Sequence, residues 1–66
     1  MDIVTDAICE TLSKWAFDES ARVVKYRAHT SDAVDHDSAL FWDRCSARAE
    51  GRMLDFANRI IERRSK

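Results

Sequence analysis

The sequence predicts an all-α chain: a two-helix antiparallel hairpin that dimerises into a four-helix bundle. Three observations predict it. Among 66 residues one is glycine and none is proline, whereas strand-rich chains place turn residues every ~8–12 positions. Apolar residues make up 45% of the chain and include two Trp, three Phe and one Tyr, a composition too rich in burial for a disordered polymer. One polar interval separates two long amphipathic stretches.

The first helix is predicted over residues 2–28. At about 100° per residue, Val4, Ile8, Leu12, Trp15, Ala16, Val23 and Tyr26 fall in one arc. A second strip, roughly opposite, collects Ile3, Ala7, Phe17, Ala21, Val24 and Ala28. Glu19 interrupts the first strip, and Asp18, Glu19 and Ser20 have the composition of a fresh helix start. A break there is the alternative to one continuous helix.

The turn is predicted over residues 29–36. Thr30, Ser31, Asp32, Asp35 and Asp37 are all residue types that cap helices by accepting from free backbone N–H groups. The second helix follows over residues 37–64, beginning somewhere between Asp32 and Asp37. Trp42, Cys45, Ala49, Met53, Phe56 and Ile60 form one seam. Leu40, Ala47, Leu54 and Ile61 recur every seven residues as another, roughly 120–140° around the helix. One neighbour covers one seam, so two seams imply two neighbours. A second copy of the chain satisfies this as a four-helix bundle; a different protein filling the second seam is the other solution. Ile8, Leu12, Trp15, Trp42, Ala49, Met53, Leu54, Phe56, Ile60 and Ile61 are therefore expected to form the core and dimer contacts.

Charge supports the antiparallel arrangement. Residues 1–36 carry four basic and seven acidic side chains and residues 37–66 seven basic and five acidic, within a net charge of −1. Asp2, Asp6 and Glu10 open the first helix and Arg63, Arg64 and Lys66 close the second, each set at the dipole end that favours it. Folding back brings these sets together, and places Arg22, Lys25 and Arg27 near Asp32, Asp35 and Asp37. A turn centred near residue 33 sets position i against roughly 66 − i, given equal rise on both helices. Trp15 and Phe17 then meet Gly51, Ala49 and Ala47, and Tyr26 and Val24 meet Leu40 and Trp42. The same register holds Cys9 and Cys45 roughly 18 Å apart, beyond disulfide reach, so both are expected as free thiols.

The 66 residues are read as one helical-hairpin domain, near the lower edge of independent stability for a lone copy. The first residues lack the basic and apolar regions of a signal peptide, and no apolar run approaches the roughly 18–20 residues of a membrane span. The expectation is a soluble, cytoplasmic protein with no membrane partner.

No catalytic, cofactor-binding or metal-ligating motif stands out. His29 and His36 lie beside Asp32, Asp35 and Asp37, yet lack the fixed Cys or His spacing of structural zinc sites. Cys9 and Cys45 sit near or within apolar seams, which suits packing rather than nucleophilic attack. Two helices give carboxylates no sheltered cleft for acid–base work, so an enzyme is not expected. The surface expected to bind is the third face of helix two, where Arg44, Arg48, Arg52 and Arg59 follow Phe41, with Asp55 and Glu62 interspersed. Arginine beside an exposed aromatic is the composition of interface hot spots. The hairpin tip, with Tyr26, Phe41 and Trp42, is a second candidate.

In length, near-absence of Gly and Pro, and hairpin plan, the chain resembles the Rop family of plasmid copy-number proteins. Those are dimeric four-helix bundles that hold paired RNA loops against one face. The resemblance spans the whole chain as architecture, and no residue motif carries RNA-contacting positions across. It is similar also to the short helical proteins that phages use to disable a host factor. The function expected first is a regulatory protein that binds, modulates and inhibits another protein as a homodimer. A Rop-like RNA- or DNA-binding bundle is the alternative, weakened by the acidic residues in the basic strip. A structural adaptor subunit is the third.

Overall fold

The structure, a computed structural model, describes residues 3–65, so the expectations placed on Asp2 and Lys66 lie outside the described residues. Two helices, α1 (Ile3–Asp32) and α2 (His36–Arg64), make up nearly all of it, and no strand occurs among the described residues. Trp15 packs on Phe56 and Tyr26 on Trp42, so the helices run antiparallel as a hairpin. The Cα trace measures 51 × 14 × 10 Å, a rod about as long as one helix of 30 residues at ~1.5 Å per residue.

α1 is unbroken through Asp18, Glu19 and Ser20, against the alternative of a new helix start there. It also runs four residues beyond the predicted end at residue 28. Two contacts account for the extension. Thr30 Oγ1 donates to the Tyr26 carbonyl at 3.0 Å, so a residue suited to capping lies along the helix instead. His29 stacks on Trp42 of α2 with ring centroids 4.4 Å apart, tying down the last turn.

The predicted turn over residues 29–36 therefore shrinks to residues 33–35. Asp35 is the N-cap of α2, with extended backbone at φ −129° and ψ 163°. Its Oδ1 accepts from the Ser38 N–H at 2.6 Å, filling one of the donors a helix start leaves open. This bond holds the Asp35 carboxyl below the usual carboxylate range.

The buried seam of α1 steps alternately by four and three: Thr5, Cys9, Leu12, Ala16, Glu19, Val23, Tyr26, Thr30. That is the a/d pattern of a coiled coil. The seam of α2 holds the predicted residues, with Ala49 buried and Trp42, Cys45, Met53, Phe56 and Ile60 half-buried, and adds the buried Ser46, which the apolar spacing did not include. Buried apolar side chains are few among the described residues: Cys9, Leu12, Val23 and Ala49. Both cysteines are free, Cys9 buried and Cys45 half-buried.

Several expected pairings change. Trp15 meets Phe56, not Gly51, and nothing lies within 4 Å of where a Gly51 Cβ would be. The shorter turn shifts the register, so a ring meets a ring instead of a glycine. Phe17 and Val24 are 74% and 68% exposed, because they belong to the opposite strip of α1 and face away from α2. Tyr26, expected opposite Leu40, stacks on Trp42 at 5.8 Å under the same shift of register. Among the described residues the ion pairs are Arg22–Glu19 within α1 and Arg27–Glu50 across the helices at 3.3 Å. Arg27 thus pairs with Glu50 and not with the aspartates of the tip, since α1 continues more than a turn beyond it.

Candidate functional site

Rotation about each helix axis divides the hairpin into two faces. Measured from the buried seam, the exposed strip of α1 lies roughly 145° around and that of α2 roughly 130°, in the same rotational sense. Because the helices are antiparallel, equal rotations bring both strips to the same side. Ile3, Phe17 and Val24 therefore share a face with Leu40, Leu54 and Ile61, all exposed. Arg44, Arg48, Arg52 and Arg59 lie roughly 100° around in the other sense, on the opposite face.

α1 completes that opposite face with Ile8, Trp15, Arg22, Tyr26 and His29. Near the open end of the hairpin, the Trp15 and Phe56 rings sit 5.7 Å apart, and the Arg59 guanidinium lies over Phe56 at 6.0 Å from the ring centroid. At the closed end, Trp42 is sandwiched among Tyr26, His29 and Phe41, the last edge-on at 5.0 Å. Between the two aromatic clusters lies a recess of about 110 Å³ lined by Glu19, Arg22, Tyr26, Cys45, Arg48, Ala49 and Arg52.

Glu19 is the unexpected member. It is a carboxylate in the middle of an apolar seam, its side chain 7% exposed. Oε1 accepts from Arg22 Nη1, while the buried Oε2 has no hydrogen-bond partner. A buried acceptor left open costs on the order of 1–3 kcal/mol, so its presence calls for a reason beyond folding. Arg22 is half-exposed and reaches the carboxylate from within its own helix, three residues on.

The sequence-predicted residues divide accordingly. Arg44, Arg48, Arg52, Arg59 and Phe41 are all exposed on one face. Leu12 and Ala49 are buried, and Ile8, Trp42, Met53, Phe56 and Ile60 half-buried, along the seam between the helices. Trp15 sits at the seam's edge, 49% exposed, while Leu54 and Ile61 take no part in it. Sequence reasoning missed Glu19, Arg22 and His29 as members of the arginine face. The signal was present: Thr5, Leu12, Glu19 and Tyr26 recur every seven residues, which places Glu19 inside whatever its polarity. Weighing apolar residues alone hid it.

Among the described residues no group of three or more His, Cys, Asp and Glu is placed to hold a metal ion. Among the same residues no helix is long and apolar enough to cross a membrane. The chain matches no protein-family model, no curated protein and no solved structure.

Proposed function

We propose that this chain is a small, non-enzymatic, cytoplasmic regulatory protein that, as a homodimer, binds another protein and inhibits it. The observation that carries the reading is the arginine face. Trp, Tyr and Arg dominate interface hot spots because they combine large contact area with directed hydrogen bonds, and here Trp15, Tyr26 and Trp42 alternate with Arg22, Arg48, Arg52 and Arg59 along one side. The aromatic clusters supply apolar anchors, and the guanidinium groups supply planar donors for a partner's carboxylates and carbonyls. The open Oε2 of Glu19 supports the same reading, since a partner's donor seated in the recess would satisfy it. Free thiols at Cys9 and Cys45 accord with a reducing compartment.

The test is affinity capture from the native source, comparing the wild-type chain with the Arg44→Ala/Arg48→Ala/Arg52→Ala variant. The captured protein's own activity is then assayed with each chain added. Capture and inhibition by the wild type, both lost in the variant, are expected. Equal capture by both chains removes the arginine face from consideration. If nucleic acid is recovered instead, with affinity falling by orders of magnitude between about 50 and 200 mM salt, the Rop-like alternative replaces this reading.

A further inference from the structure

We infer that the apolar face is covered by a second copy of the chain, packed face to face about one specific two-fold axis. The axis crosses α1 level with Glu19 and α2 between Glu50 and Gly51. This deepens the homodimer reading above and rests on it.

The area comes first. The lone hairpin exposes 5202 Å². A compact monomer of 7.6 kDa is expected to expose about 4300 Å². The excess, about 900 Å², matches the roughly 800 Å² that each partner buries in a standard interface. Both exposed apolar strips lie on one side, with the Arg27–Glu50 ion pair in the groove between them.

The spacing identifies the partner as another copy. Leu40, Ala47, Leu54 and Ile61 are evenly spaced, so an antiparallel copy of α2 sets Leu40 against Ile61 and Leu54 against Ala47. The midpoint of both pairs falls between Glu50 and Gly51. On α1, an antiparallel copy about the same axis sets Phe17 against Ala21. Leu54 meets Ala47 and Phe17 meets Ala21, large against small as close packing favours, while Leu40 meets Ile61 as a pair of large side chains. The observed register carries the α2 axis across to α1: Tyr26 on Trp42 and Trp15 on Phe56 put Glu19 level with residues 50 and 51.

Gly51 gives an independent sign. It sits mid-helix, where glycine is disfavoured by about 1 kcal/mol, and open space surrounds its Cβ position. Nothing within the hairpin explains it. Beside the two-fold axis, the missing side chain lets the two α2 backbones approach.

Sedimentation of the full-length chain and oxidative cross-linking of Gly51→Cys test the proposal together. The wild type should sediment as a dimer. Gly51→Cys should form a covalent dimer, its yield on the order of tenfold above that of an Arg48→Cys control on the opposite face, because pairing raises the local thiol concentration from micromolar to millimolar. The wild type, with Cys9 and Cys45 alone, sets the background. An Ala47→Cys/Leu54→Cys variant provides a second reading if Gly51→Cys fails to fold. Its two thiols lie about 10 Å apart on one helix, too far for an internal disulfide, so they should link only between copies. A dimer that resists cross-linking in every folded variant overturns this axis and leaves the homodimer reading standing. A monomer at micromolar concentration overturns both.

Discussion

Replacing Glu19 by leucine should stabilise the hairpin while weakening its docking face. In the structure one carboxylate oxygen is bonded to Arg22 and the other is buried without a partner. Relief of that open acceptor amounts to about 1–3 kcal/mol. Loss of the Arg22 contact offsets little, because the guanidinium is half-exposed and returns to water. Leucine is close to glutamate in volume and completes the run between Leu12 and Val23. Replacing buried charge by a well-packed apolar side chain is commonly neutral to stabilising by ~1–4 kcal/mol. A net gain near 2 kcal/mol corresponds to a rise in melting temperature of roughly 8–16 °C for a chain of this size. The assay is thermal unfolding by circular dichroism, with both chains at one fixed concentration because association adds to apparent stability. A fall in melting temperature for Glu19→Leu would refute the reasoning: the carboxylate would then be satisfied in solution, and the recess would lose its claim to a partner's donor. Stabilisation combined with lost partner capture is the signature of a residue kept for binding.

Phe56→Asp should abolish most helical signal, since it removes the Trp15 contact and places a charge in the seam, at a cost of roughly 3–5 kcal/mol. Arg48→Ala, on the exposed face, should stay within about 0.5 kcal/mol of wild type; circular dichroism at matched concentration reads both. The pH dependence near the turn should come from Asp35. Its carboxyl titrates below its ordinary value because the Ser38 N–H bonds to the charged form. Its contribution is therefore complete above the unfolded value of about 3.9 and is lost as pH falls through the lower folded value. Asp35→Asn still caps the helix but does not titrate, so the drop in melting temperature between pH 5 and about pH 3 should be smaller than in wild type. An equal drop in both chains would assign that acid sensitivity to other carboxylates.

The all-helical hairpin was legible in the residues themselves, because helical periodicity needs only the spacing of apolar side chains along one segment. The apolar residues of the α2 seam from Trp42 to Ile60, the separate strip from Leu40 to Ile61 and the two free thiols all follow from that spacing. The exposed arginine row does too. The limits of the helices were less legible: Thr30, Ser31 and Asp32 are built to cap, and the stacking of His29 on Trp42 and the Thr30 bond to the Tyr26 carbonyl keep them helical.

Tertiary structure alone decided how α1 is rotated and how far it is offset. A sequence gives the phase of each helix, whereas rotation and register are properties of the pair, set by which rings and small side chains interlock. Trp15 settles on Phe56, the register moves by several residues, and Gly51 is left facing outward. Rotation then draws Glu19 into the seam against its own polarity, because its neighbours at the same heptad position, Leu12 and Tyr26, gain more by burial. From that one rotation both free apolar strips fall on one side and the arginines on the other, so the division of the molecule into two faces belongs to the packed pair and to neither helix by itself.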